Sequence, residues 1–306
     1  MKRIILECMG IALIVSALAI ANPARAAAAE KESRQPFLVT VDWLAQHIND
    51  KDLVLIYMGD GQDYRSGHIP GAQALLYSDI RQPDGPGLTL ELPPVEQLVT
   101  TFEALGVTNN SHIILYSSGP KITPMGRTYF TLDYLGLGNQ TSVLDGGIEA
   151  WRKANQPVTK EVRKPVKGSF SPHPNPNLVV DATWVNAHLH KAGVDILDAR
   201  TPQYYSGEDA GGHPRAGHIP GAGNIQYSSL VDDSMHFKDR ATLEQEFRAA
   251  GAKPGDHVIT YCHIGQQASL LYFVARMLGY NASLYDGSWE EWSARKDLPV
   301  ETSSMK

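Results

Sequence analysis

The chain has 306 residues, with 27 Lys or Arg against 33 Asp or Glu and a formal net charge of −6. The charges are spread along the chain without a basic tract, which argues against a nucleic-acid or anionic-membrane surface. With two cysteines, Cys8 and Cys262, there is no disulfide framework and no cysteine-rich metal motif, and the scattered histidines do not build one.

The first predicted element is a leader. Lys2 and Arg3 precede an apolar stretch from Met9 to Ile20 and then Ala24-Arg25-Ala26, a small-x-small cleavage pattern, so residues 1–26 read as a secretory signal peptide. Its apolar part is shorter than the roughly 20 residues that span a bilayer, and no later stretch is longer. The expectation is an exported, periplasmic protein without a membrane span. Cleavage removes Cys8 and leaves Cys262 alone, unable to form an internal disulfide.

About 280 residues remain, enough for two domains of ~100–200 residues with two hydrophobic cores. An internal repeat supports this. "YRSGHIPGA" at 64 to 72 returns as "PRAGHIPGA" at 214 to 222. "LVLIYMGDGQDY" likewise matches "VDILDARTPQYY", "HIILYSSG" matches "HVITYCHIG", and "SVLDGGIEAW" matches "SLYDGSWEEW". The offset drifts: Tyr205 follows Tyr64 by 141, Gly217 follows Gly67 by 150 and Tyr261 follows Tyr116 by 145. Insertions such as "GEDAGGHPR" therefore fall in connections, where length changes are tolerated. The first domain is placed at 36–157, a Pro- and Lys-rich linker at 158–177, and the second domain at 178–303.

Within each copy, β-branched runs such as "DLVLIY" and "VDILDA" read as buried parallel strands and alternate with helical stretches. "ATLEQEFRAAG" spaces Leu243 and Phe247 for an amphipathic helix ending at Gly251. "ASLLYFVARMLGY" reads as a helix packed on the sheet, beginning near Ala268. His188 and His190 read as exposed helix residues. The fold class is α/β, each domain a mostly parallel sheet flanked by helices.

Cys262 follows "HVITY" and precedes the helix at Ala268, which puts it at the carboxyl end of a strand, where α/β sheets bind ligands. The turn "HIGQQ" can aim successive backbone N–H groups inward and the helix adds its positive end, so the cradle favours an anion and a thiolate. The alternative is a small buried hydrophobe. The repeat acts as an internal control, because the first copy has Ser117 at the place of Cys262 and Tyr57-Met58-Gly59 where the second has Asp198-Ala199-Arg200. Gly-His-Ile-Pro-Gly-Ala occurs in both copies, so His68 and His218 read as structural. Trp289 and Trp292 suit core packing or a cleft wall equally.

The repeated GHIPGA, the strand–cysteine–six-residue loop–helix of the second copy and the "YDGSWEEW" segment resemble the tandem-domain rhodaneses, the thiosulfate and 3-mercaptopyruvate sulfurtransferases. The resemblance covers nearly all the chain after the leader. It implies two tandem rhodanese-like domains, the first inactive and the second catalytic. It further implies attack of Cys262 on the outer sulfur of a small-molecule donor, a persulfide, and transfer to a thiophilic acceptor. Backbone N–H groups of His263, Ile264, Gly265, Gln266, Gln267 and Ala268 would hold the persulfide. Arg200 would take the donor's anionic group, with an ion pair to Asp198 as its structural alternative. Metal and organic cofactors are not required, and a monomer is the default.

The loop departs from both family patterns, with Ile264 at a place that is basic in thiosulfate-preferring members and small and polar in mercaptopyruvate-preferring ones. His263, when protonated, and Arg200 would then have to supply positive charge. Thiosulfate is favoured as donor on location alone. Against a phosphatase, the residue six places after Cys262 is Ala268 rather than arginine. A non-catalytic periplasmic sulfur carrier acting with a partner is the alternative from another class. An oxidation sensor would want a second, resolving cysteine.

Overall fold

Five short segments in each repeat become five parallel strands. The computed structural model describes residues 36–82, 87–119 and 122–303; the predicted leader lies outside the described residues. The first sheet has strands β1 (Leu38–Val39), β2 (Leu53–Met58), β3 (Gln73–Leu75), β4 (His112–Ser117) and β5 (Thr141–Leu144), in the order β1-β5-β4-β2-β3. The second has β6 (Val179–Val180), β7 (Val194–Asp198), β8 (Gly223–Asn224), β9 (His257–Tyr261) and β10 (Asn281–Tyr285), in the corresponding order β6-β10-β9-β7-β8. Every pairing is parallel. The central strands β4 and β9 are apolar and buried on both faces, as a helix-covered parallel sheet requires.

The helices of the first repeat are α1 (Val41–His47), α2 (Gly61–Ser66), α3 (Val95–Ala104), α4 (Thr123–Tyr134) and α5 (Gly147–Lys153). Those of the second are α6 (Ala182–Ala187), α7 (Pro202–Ser206), α8 (Arg240–Ala249), α9 (Gln266–Leu278) and α10 (Ser288–Ala294). Helix α8 is capped by Asp239, whose carboxylate accepts from Thr242 N at 3.0 Å, and it buries Leu243 and Phe247. Helix α9 starts two residues earlier than the sequence suggests. Gly265, with φ +88°, turns the chain directly into the helix, so Gln266 and Gln267 form its first turn. His188 and His190 lie just beyond α6 rather than in a helix; His188 stacks on Trp184 at 3.8 Å. Among the described residues no helix is long and apolar enough to cross a membrane.

GHIPGA plays the same part twice. His68 Nδ1 lies 2.8 Å from Tyr64 O with its ring stacked on Tyr64, and His218 Nδ1 lies 2.7 Å from Tyr205 O with its ring stacked on Tyr205. The Ile69 and Ile219 amides donate to Tyr116 Oη and Tyr261 Oη of the neighbouring strands. The segment between the repeats is not a free tether. Thr159 and His68 exchange two backbone hydrogen bonds of 2.9 Å, Gly168 N donates to Glu103 O at 2.8 Å, and Phe170 is buried. A chain without helical or strand periodicity still satisfies its amides on the first repeat's carbonyls, which fixes its course.

Two separate cores are not what forms. The outer face of each sheet has its own cluster, but the inner faces share one that runs from Ile56 and Phe130 to Phe273 and Leu284. Helices α4 and α9 meet there. The repeat matches "YFTLDYLG" with "YFVARMLG", and the two aromatic pairs interlock: Tyr129 on Phe273 at 4.8 Å and Phe130 on Tyr272 at 5.1 Å, both edge-on. Asp133 accepts from Tyr272 Oη at 2.7 Å and from Arg276 Nε at 3.1 Å. The approach is close enough that a Cβ on Gly126 would lie 2.7 Å from Leu270 Cα.

Candidate active site

Cys262 lies immediately past the end of β9 and is completely buried. The start of α10 pins the chain behind it. Cys262 N donates to Ser288 Oγ at 3.2 Å, while Cys262 O and His263 O accept from Trp289 N and Glu290 N, both at 2.9 Å. With the loop held at its back, the amides of Ile264, Gly265, Gln267 and Ala268 turn onto the thiol. This nest of backbone donors at a helix start has the geometry expected from the turn, one that favours an anion. The electrostatic balance runs the other way from the simplest expectation, however. Burial, the larger effect, pushes the Cys262 pKa up, and the four amides only partly offset it.

Gly265 is required in this loop. Its φ is positive, and a Cβ there would lie 2.7 Å from Asp286 Oδ1 and 3.4 Å from Arg127 Nη1. Ile264 is partly exposed and offers no charge, and Ala268 is buried in the first turn of α9. Gln266 Nε2 donates to Thr123 Oγ1 of the first repeat at 3.1 Å. Gln267 Oε1 is buried without a partner among the described residues.

Arg200 is buried and adopts the ion-pair alternative. Its Nε lies 3.0 Å from both carboxylate oxygens of Asp198, and its Nη2 lies 2.6 Å from Asp198 Oδ2 and 2.7 Å from Gly217 O. The guanidinium stands over Trp289, 4.6 Å from the ring centre. Burial opposes its charge, but Asp198 more than restores it, so the pKa is raised. These bonds occupy the edge a bidentate grip would use, and only Nη1 is without a hydrogen bond among the described residues.

His263 is not a source of charge at neutral pH. Its pKa is pushed down to about 4, first by burial and then by Arg200 and His213. Its Nδ1 lies 3.0 Å from Nε2 of His213, and Tyr204 packs edge-on against its ring at 4.6 Å. His213 belongs to the "GEDAGGHPR" insertion, which the first repeat lacks. Trp289 and Trp292 are fully buried; their Nε1 atoms donate to Arg215 O and Pro299 O. Among the described residues no group of His, Cys, Asp or Glu is arranged to hold a metal ion.

The first repeat reaches this site with residues that sequence reasoning did not name. Arg127 of α4, fully buried, donates to Asp286 Oδ1 at 2.5 Å and Oδ2 at 3.1 Å and to Leu90 O at 3.0 Å. Thr89 donates to the Glu290 carboxylate from N at 2.8 Å and from Oγ1 at 2.6 Å. One signal was available: aligning the two "YF" pairs sets Arg127 against Leu270, a charge where the copy has an apolar residue. At the corresponding end of the first sheet, Ser117 replaces the thiol, and Tyr57 Oη pairs with Ser118 Oγ at 2.8 Å.

A tandem of parallel α/β domains with a thiol cradled by amides at a strand end defines a class of proteins suited to covalent chemistry at sulfur. The model of the rhodanese-like domain matches residues 40–154 and again 181–295. The chain belongs to the rhodanese-like family. It is 31% identical over 271 residues to a thiosulfate sulfurtransferase of Azotobacter vinelandii, covering 87% of this chain and 97% of the relative. It is also 31% identical over 278 residues to the 3-mercaptopyruvate sulfurtransferase of Escherichia coli strain K12, covering 87% of this chain and 98% of the relative. Among solved structures, the fold is shared with the anaerobic ergothioneine biosynthesis enzyme from Chlorobium limicola. That likeness has a TM-score of 0.76 at 24% identity, covering 88% of this chain and 71% of that one.

Proposed function

We propose that the protein is a sulfurtransferase that takes sulfane sulfur from thiosulfate, with 3-mercaptopyruvate as the next candidate donor, and passes it to a thiophilic acceptor through a persulfide on Cys262. The observation that carries this reading is the convergence of four backbone amides on the buried, unpaired thiol of Cys262. The Cys262 thiolate attacks the outer sulfur of thiosulfate, the donor's S–S bond breaks, and sulfite leaves with its electron pair. A cyanide or thiolate acceptor then attacks that sulfur and returns the Cys262 thiolate. Splitting the transfer into two displacements gives each a good leaving group.

The cradle amides are fixed before reaction, so they stabilise the negative sulfur without reorganising. Arg200 adds positive potential and the two N–H groups of its Nη1, and His263 acts as a neutral hydrogen-bonding wall. The leader-like residues 1–26 support export to the periplasm, where thiosulfate is nearer to hand than a cytosolic keto acid. The shared inner core supports a monomer, since each repeat covers the other's apolar face.

The test is thiocyanate formation from each donor with cyanide, together with intact mass before and after donor alone, using Cys262→Ser as control. Turnover, and a mass gain of one sulfur atom that the variant lacks, is the expected result. A mass gain without turnover would point instead to a carrier that needs a partner; the absence of both signals overturns the reading.

A further inference from the structure

Two polar groups of the first repeat end near the cradle of the second with a donor left unpartnered among the described residues. Arg127 spends Nη1 and Nη2 on Asp286 and Leu90 O, but its Nε–H is buried without a partner among the described residues. Tyr77, at the start of a 3-10 turn (Tyr77–Ile80), has a buried Oη in the same condition. Folded proteins rarely leave such donors unmade, and a cluster of them beside a reactive centre marks a place where a ligand completes the set. Arg127 Nη1 is 3.4 Å from where a Cβ of the cradle's Gly265 would be. A negative charge at Cys262 acts on both Arg127 and Tyr77, and the two act on one another.

Neither unmade bond is explained by the fold. The repeat match gives α9 a leucine, Leu270, where α4 has Arg127, so the helix pairing itself tolerates an apolar residue at this position. The Tyr77 hydroxyl holds no neighbour in place. Arg200, the charged group on the second repeat's side, has already committed Nε and Nη2 to Asp198 and Gly217 and cannot grip an anion with two of its nitrogens.

We propose that Tyr77 Oη–H and Arg127 Nε–H are donors to the anionic head of the sulfur donor, its sulfonate or carboxylate, so that the thiol-free repeat completes the binding site. The inference rests on the sulfurtransferase reading. The two donors hold the departing anion while Cys262 attacks the adjoining sulfur, and they release it when sulfite or pyruvate leaves. An acceptor that attacks the persulfide afterwards has no need of them.

The two half-reactions therefore separate the effects. In the full-length protein, with whichever donor supports turnover and with cyanide as acceptor, Tyr77→Phe is expected to lower kcat/KM for the donor by about tenfold to a hundredfold, the span of one hydrogen bond to a charged group. The kcat/KM for cyanide should stay unchanged, as should Tm, because the deleted hydroxyl has no hydrogen-bond partner among the described residues. Arg127→Lys, which keeps a cation beside Asp286 but loses the Nε–H, is expected to act in the same direction. Wild-type donor kcat/KM in Tyr77→Phe, or an equal fall for donor and cyanide, overturns the proposal while the sulfurtransferase reading stands. Absence of persulfide and turnover in the wild type overturns that reading, and the proposal with it.

Discussion

Tyr57 and Asp198 hold the same register position in the two sheets: Tyr57 pairs with Tyr116 on β4, and Asp198 pairs with Tyr261 on β9. Two residues on, Gly59 stands where the second repeat has Arg200. A Cβ at Gly59 would lie 2.4 Å from Tyr57 Oη, so the tyrosine occupies the space in which the other repeat builds its buried Asp198–Arg200 pair. The loss of the thiol in the first repeat is therefore accompanied by a refilled site.

From this it follows that Ser117→Cys, made in a Cys262→Ser background, does not restore thiocyanate formation. The new thiol lacks the arginine of the second repeat, whose place Gly59 and the Tyr57 ring fill. Turnover regained in that double variant, measured with both donors, would show that the cysteine alone decides activity.

The pH dependence follows from the direction of the Cys262 shift. The reactive form is the thiolate, and burial raises the pKa above the ordinary free-cysteine value of about 8.5. Donor kcat/KM should therefore climb about tenfold per pH unit through neutrality and continue past that value before levelling. His263 has already lost its proton above about pH 4, so no inflection belonging to it is expected between about pH 5 and 7, where a free histidine titrates. A plateau reached below neutrality, in a stopped-flow persulfuration profile, would contradict the raised pKa.

The Arg127–Asp286 pair bonds one repeat to the other from positions that are nearly sealed from water. Asp286→Asn leaves a buried guanidinium without its counter-charge and should cost about 3–5 kcal/mol, read from urea unfolding. Replacing both residues together, as Arg127→Met with Asp286→Leu, should recover most of that loss, because an apolar pair of similar volume removes both desolvation penalties. Activity would not return with it. Equal destabilisation by the single and double changes would mean that packing, not charge, dominates at this contact.

Gly126 is expected to resist even alanine. Alanine favours a helix over glycine by about 1 kcal/mol, yet its Cβ at this position meets Leu270 backbone atoms at 2.7 Å. Forcing α4 from α9 should outweigh the propensity gain and leave Gly126→Ala about 1–3 kcal/mol less stable. Calorimetry of the variant decides the sign, and a raised Tm would show that the crossing can relax without loss.

Several features of this protein were legible in its residues. The duplication, the parallel strands β2, β4, β7 and β9, and the thiol at the end of β9 rest on repetition and on short-range hydrophobic patterning, which the chain carries locally. His68 and His218 could be read as structural because each recurs with its own glycines and proline. Other features depended on which groups meet across more than a hundred positions. Spacing cannot show that Arg200 closes on Asp198, that burial, Arg200 and then His213 from an insertion keep His263 neutral, or that Thr123 and Arg127 of the thiol-free repeat reach the other repeat's cradle. Tertiary structure decided these, because a buried charge takes whichever partner the packing of α4 on α9 brings within hydrogen-bonding reach, and the chain encodes that packing only through the whole of the shared core.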